Sequence, residues 1–342
     1  MNVLKKIRRI LGSMPFAVTV LVLLALACAL ASMVPQGESL EWYTEQYGER
    51  TAALILVLGA DDAYHSIWFI VLSGFLCLSL AICNGTRVRS LVRRTRETPA
   101  DWAGIWGAWT CHLGILLLII GFALGQMFQE DYSLYGLPGQ TKELEGTGLR
   151  VTVEDFAIDW REDGSAGQYT AELSVTNPEG RTERGTASVN HPAEMFGYEF
   201  FQNSAGWAAE MTVSKEGEVL QRETLCVQEF APLTEDPDIV VMLYGFYPNY
   251  DGSTGAAAPM ASTRPERPGY VYMVFYRGEI RGMNVLQEGE EITIDGEYRV
   301  TFGNPTNYTV LMIRRDRFTW IALCGAALTL AGLVMAFYLK KR

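Results

Sequence analysis

The sequence predicts a membrane α + β protein: four transmembrane helices and one large extracytoplasmic antiparallel β-rich domain, a sandwich or an open barrel. Three observations predict it. Apolar residues make up 49% of the 342 residues and gather into four runs long enough to cross a hydrocarbon core of about 30 Å. Basic residues cluster in the short segments on one side of those runs. Between the third run and the fourth, apolar residues alternate at period two between Gly- and Pro-rich turns.

Taken in order, the N-terminal segment 1–14 carries Lys5, Lys6, Arg8 and Arg9 with no acid and leads into the first span, Pro15–Val34. Its apolar core exceeds the roughly 7–15 residues of a signal h-region, so a retained helix is expected despite the small residues at Ala29–Ser32. The loop 35–65 is acidic, with Glu38, Glu41, Glu45, Glu49, Asp61 and Asp62 against Arg50 alone. The second span is Ser66–Cys83, followed by a basic loop, 84–103, with Arg87, Arg89, Arg93, Arg94 and Arg96 against Glu97 and Asp101. Gly104–Phe128 and Phe318–Tyr338 are the third and fourth spans, and the tail 339–342 ends in Lys340, Lys341 and Arg342. No span holds Asp, Glu, Lys or Arg, each of which costs several kcal/mol at mid-bilayer. The basic segments hold twelve of the 28 Lys and Arg residues, which predicts both termini in the cytoplasm and 129–317 outside.

Strands are expected from Leu149 to Phe156, at 168–176 and 181–189, at 207–215 and 218–227, and near 270–277, 292–294, 297–302 and 307–313. The turns at Asn177–Gly180 and Lys215–Gly217 separate neighbouring pairs. The stretch Gly252–Pro268, rich in Gly, Ala, Ser and Pro, reads as a mobile loop. The region 129–317 holds 31 acidic and 15 basic side chains, a net charge near −16 that repels nucleic acid and anionic surfaces. Of six cysteines only Cys226 lies there, so an internal disulfide is excluded. With no CxxC or CxxCH, the chain is not itself a c-type cytochrome, a thioredoxin-like reductant or a zinc ribbon. Glu235-Asp236-Pro237-Asp238 lacks the EF-hand pattern and reads as a solvated acidic loop. No catalytic constellation is visible.

Three histidines remain. His112 lies within the third span, about 12 Å from its cytoplasmic start at 1.5 Å per residue, and an intramembrane polar side chain is a candidate site. Packing against a neighbouring helix is the alternative. Gly107, Gly114 and Gly121 recur seven apart and make a smooth stripe for another helix or a flat ligand. His65, beside Tyr64, Trp68 and Phe69, sits where the second span opens to the outside. The two histidines differ in depth by roughly 15–20 Å across a core of about 30 Å, so they cannot ligate one metal ion. His191 precedes Pro192 in a turn and reads as an exposed loop histidine.

Several segments resemble the ResB/Ccs1 family of System II cytochrome c biogenesis proteins. They are Ser13-Met14-Pro15-Phe16-Ala17-Val18, Val34-Pro35-Gln36, Tyr47-Gly48, and Tyr64-His65-Ser66-Ile67-Trp68-Phe69 with Leu78-Ser79-Leu80 and Cys83. His112-Leu113-Gly114 with Gly121, Asn190-His191-Pro192 and Gly197-Tyr198-Glu199-Phe200-Phe201-Gln202-Asn203-Ser204 continue the likeness. Arg315-Asp316-Arg317-Phe318 departs from it where an Asp-Pro-Gly-like lead into the last helix is expected. The resemblance implies a bacterial inner-membrane subunit of a haem lyase (cytochrome c synthetase) with a CcsA/ResC-type partner. Haem b in transit would be its cargo, apocytochrome c its client, and a thioredoxin-like thiol reductant a further partner. It implies His112 as an axial ligand to haem iron, with His65 a second candidate at the outer face. A structural scaffold for the partner that binds no haem, and a membrane-tethered sensor with an acidic β-domain, are the alternative readings.

Overall fold

A computed structural model of the chain describes residues 2–250, 252 and 264–339. Most of the stretch read as a mobile loop, 252–268, and the basic tail from Lys340 lie outside the described residues. The chain divides into two compact units, a helical one of residues 1–129 with 316–342 and a β-rich one of residues 130–315.

In the helical unit, α1 (Asn2–Leu11) ends at Gly12, and the Ser13 hydroxyl accepts from Phe16 N to start α2 (Met14–Ala31) with Pro15 in its first turn. The acidic loop is itself helical. Ser39 caps α3 (Leu40–Tyr47), Gly48 turns the chain at φ 77°, and α4 (Glu49–Val57) folds back so that Tyr43, Ala52 and Ile55 form a small core. A 3₁₀ turn at Ala63–His65 leads to α5 (Ile67–Glu97). At 31 residues α5 is about 46 Å long, well beyond a bilayer core of about 30 Å. The expected basic loop is therefore helix as far as Glu97: arginine is a good helix former, and no proline intervenes until Pro99. The last two helices are α6 (Trp102–Phe128) and α7 (Thr319–Phe337). Four helices, α2, α5, α6 and α7, are long and apolar enough to cross a membrane.

The glycine stripe of α6 is filled by α7. A Cβ added at Gly107, Gly114 or Gly121 would lie 2.4 Å from the backbone nitrogen of Ala336, Thr329 or Ala322. Gly325 and Gly332 of α7 reciprocate against Leu118 and Cys111. This is close backbone packing through small residues, so the stripe holds a helix and has no room for a flat ligand. Asp316 closes the turn that leads into α7: its Oδ1 accepts from Phe318 N (2.7 Å) and Thr319 N (3.1 Å).

The β-rich unit has fourteen described strands, all paired antiparallel, in three sheets and with no closed barrel. Its spine is the pair β7 (Tyr198–Lys215) and β14 (Tyr298–Arg315), each 18 residues long. The strands β1 (Glu130–Gly136) and β6 (Ala193–Met195) flank this pair, with β8 (Glu218–Cys226) and β13 (Ile292–Ile294) beside its other half. A second sheet runs β2-β3-β4-β5 (Thr141–Leu144, Leu149–Trp160, Ala166–Thr176, Thr182–Ser188). The third runs β12-β11-β10-β9 (Glu279–Gln287, Gly269–Tyr276, Ile239–Tyr247, Phe230–Pro232).

The spine serves two cores. Tyr198, Phe200, Leu311 and Ile313 join Val151, Val153 and Leu173 of the second sheet. Trp207, Met211, Val213, Val300 and Phe302 join Val241, Leu243 and Tyr270 of the third. The unit is thus two sandwiches sharing one long sheet. Between them, Gly206 passes under the Tyr308 ring so closely that a Cβ would lie 2.1 Å from it. The segments expected at 297–302 and 307–313 are one strand, interrupted by a register shift between Gly303 and Thr306.

Candidate functional site

The loop ahead of α5 is organised by one side chain. The Gln36 amide donates to the carbonyls of Ala31 (3.1 Å), Val34 (2.8 Å) and Ala60 (2.8 Å), and its Oε1 accepts from Ala63 N (2.9 Å). Gly37 N adds a bond to Asp61 O at 2.9 Å. The end of α2 is thereby tied to the 3₁₀ turn that carries His65. Because Asp62 and His65 stand three apart across that turn, their side chains meet, with Nδ1 2.5 Å from Asp62 Oδ1. On the other side of the ring Nε2 lies 3.2 Å from Gln126 Oε1, near the end of α6. His65 keeps 54% of its side chain exposed, so the ring is both oriented and reachable. The hydrogen bond to Asp62 raises its pKa above the ordinary value, against a smaller lowering by burial. A carboxylate holding Nδ1–H is the arrangement that orients a histidine to present Nε2 to a metal.

His112 is placed differently. It lies 14 residues before Gln126 on the same helix, so about 21 Å along the axis from the His65 contact at 1.5 Å per residue. The histidines are kept apart, as their depths in the sequence imply. Neither ring nitrogen of His112 has a hydrogen-bond partner among the described residues, and Nδ1 is fully buried. One turn earlier, Trp109 donates to the Asn84 carbonyl of α5 at 3.2 Å, and the buried Asn84 amide likewise has no partner. Trp106 donates to Thr95 Oγ1 at 2.9 Å. Asn84 of α5 and His112 of α6 thus each bury polar atoms that no described residue partners, an arrangement costly to leave uncompensated.

The remaining sequence candidates lie in the β-rich unit. His191 closes a tight turn with Ser188 through two 2.9 Å backbone bonds, next to Asn190 at φ 65°, and its Nδ1 lies 3.1 Å from Val189 O. Gln202 is buried and bonds Thr309 Oγ1 (2.7 Å) and Ser204 O (2.7 Å) at the register shift where β7 faces Val310 and Leu311. Its signature thus fixes a bend in the spine. Glu235 pairs with Lys215 and Asp238 with Arg277, and no group of three metal-ligating side chains occurs among the described residues. Burial, with Glu229 beside it, pushes the Cys226 thiol up to about 12, which keeps it protonated and unreactive. The sequence reading missed the pairing of His65 with Asp62 and Gln126. Only the i, i+3 spacing of Asp62 and His65 announced it.

The chain matches the family model described as ResB-like over residues 14–104 and 100–290. It is 24% identical to the cytochrome c biogenesis protein CcsB of Prochlorococcus marinus (strain MIT 9301) over 269 residues, 61% of this chain and 62% of that protein. For the CcsB of Synechococcus sp. (strain CC9311) the identity is 24%, covering 97% of this chain and 87% of the relative. For that of Gloeobacter violaceus (strain ATCC 29082 / PCC 7421) it is 28%, covering 58% and 55%. The chain thus spans about three-fifths of the Prochlorococcus relative it matches. Among solved structures, cytochrome c haem lyase CcmF aligns with 95% of this chain and 41% of its own, at 13% identity and a TM-score of 0.29, too loose a likeness to bear on the fold. Matched from the first span through most of the β-rich unit, the chain belongs to the ResB-like family.

Proposed function

We propose that this chain is a haem-handling membrane subunit of System II cytochrome c biogenesis, lying in the bacterial inner membrane with both termini in the cytoplasm. Its β-rich unit stands on the outer side, where c-type cytochromes mature. A CcsA/ResC-type membrane protein is its partner and apocytochrome c its client. Family membership and the names of the relatives support the pathway, and the basic segments support the orientation. The observation that carries the haem reading is the oriented, exposed His65 ring with Asp62 behind Nδ1.

Two histidine positions about 21 Å apart divide the task. His112 offers an imidazole to haem in the inner half of the bilayer, and His65 offers one at the outer face. The distance prevents both from holding one iron, so each needs its second axial ligand from another chain. With Asp62 holding the Nδ1 proton of His65, Nε2 is the nitrogen that would hold iron, after giving up to solvent the proton it shares with Gln126 Oε1. The chain orients and presents cargo, and thioether formation lies with the partner.

Haem spectra of the complex co-purified with the partner test this. His65→Ala is expected to remove most of the low-spin Soret signature, and imidazole added to the variant to restore it. His112→Ala is expected to lower the haem occupancy of the complex. Unchanged spectra in both variants, with the complex intact, would leave the chain a scaffold that binds no haem.

A further inference from the structure

The first helix has an apolar face that the described residues of the helical unit leave largely exposed. At 3.6 residues per turn, Val3, Ile7, Ile10 and Leu11 of α1 fall within an arc of about 100°, and Lys5, Lys6, Arg8 and Arg9 occupy the opposite side. Val3, Ile7 and Ile10 remain 71%, 49% and 50% exposed. None of the four basic side chains forms an ion pair among the described residues, and the helix holds no acid. A water-facing helix would not display an apolar arc beside a span, and a helix continuing that span would not carry four charges.

The junction with α2 separates the two helices. Gly12 lies against α5, where a Cβ would come 2.7 Å from the Ile82 side chain. The chain breaks there, and Ser13 and Pro15 start a new helix. α1 is therefore a distinct element placed at one end of a membrane span, amphipathic and purely basic, which is the pattern of a helix lying in the headgroup region.

We infer that α1 is a docking surface for anionic phospholipid, with Val3, Ile7 and Ile10 in the acyl boundary and Lys5, Lys6, Arg8 and Arg9 on the headgroups. The complementarity is specific in sign: the cationic side chains favour anionic over zwitterionic lipid, each by a several-fold factor near the surface. The surface anchors the inner end of α2 and the α5 segment on which Gly12 rests, independently of any haem chemistry.

Amide hydrogen exchange on the full-length protein tests it, in nanodiscs of phosphatidylcholine alone and in nanodiscs with an equal part of phosphatidylglycerol. Residues 3–11 are expected to exchange at least about ten-fold more slowly in the anionic discs, four cationic contacts acting together. K5Q/K6Q/R8Q/R9Q should abolish that difference while leaving exchange in α6 and α7 unchanged, which also shows that the variant folds. I7S/I10S should speed exchange of residues 3–11 in both lipids. Equal exchange of the wild type in the two lipids overturns the inference. So does a lipid difference that survives the four glutamines, and protection of equal depth in both lipids assigns the face to protein.

Discussion

Asp62 sets the proton affinity of the histidine three residues ahead of it, and the sign of its effect is fixed by charge. The bond favours the imidazolium, so the stabilisation it gives the turn is fully present below the ordinary value of 6.5 and is lost as pH rises through the raised folded value. Asp62→Asn is expected to bring the His65 pKa back down toward 6.5, read from histidine NMR of the full chain in nanodiscs. An unchanged titration would show that Asp62 does not act on the ring. At this scale the sequence was half legible. It marked all three histidines and placed His191 in a turn, because Asn-His-Pro is turn chemistry readable without a fold. Gln36 and Gln126 were invisible as partners, since each reaches across contacts 24 to 61 residues apart. Composition carries no information about such closures.

The elements that period and hydropathy define were found, and those defined by long-range packing were not. Four apolar runs became four helices, but hydropathy measures where lipid ends and not where a helix ends, so the continuation of α5 to Glu97 was missed. The α3–α4 hairpin was missed because a helix of eight or nine residues with three buried side chains has too little apolar face to announce a period. β10 was overlooked because Ile239–Tyr247 is apolar on both faces although only one is buried, with Tyr244 exposed on the other, so the residue types show no alternation for a period to catch. The glycine stripe was legible as a contact surface, while its occupant, from the far end of the chain, was not. Gly114→Leu is the sharpest test of that surface. With a Cβ 2.4 Å from the Thr329 nitrogen and 2.5 Å from its hydroxyl, α6 and α7 must separate, costing about 1–3 kcal/mol or more. A lowered melting temperature in detergent is expected. Wild-type melting would mean that α7 lies elsewhere.

At the scale of the whole molecule the chain is a helical unit interrupted by a β-rich one inserted between Glu130 and Arg315. Two cores of its own and paired first and last strands give the inserted unit what an independent domain needs. Residues 130–315 expressed alone are expected to give a soluble acidic protein with dispersed NMR amide shifts and one cooperative thermal transition. A collapsed, undispersed spectrum would mean that the unit depends on the helices for its fold.

The same insertion sets a clock for synthesis. The helices α6 and α7, zipped glycine to backbone, are separated by 190 residues of chain. At about 5–20 residues per second, the ribosome takes roughly 10–40 s to deliver α7 after α6 has entered the bilayer. During that interval the small-residue face of α6 has only lipid, or another protein, against it. The newborn molecule is thus open along the helix that carries His112, and it seals only after the entire β-rich unit has been made.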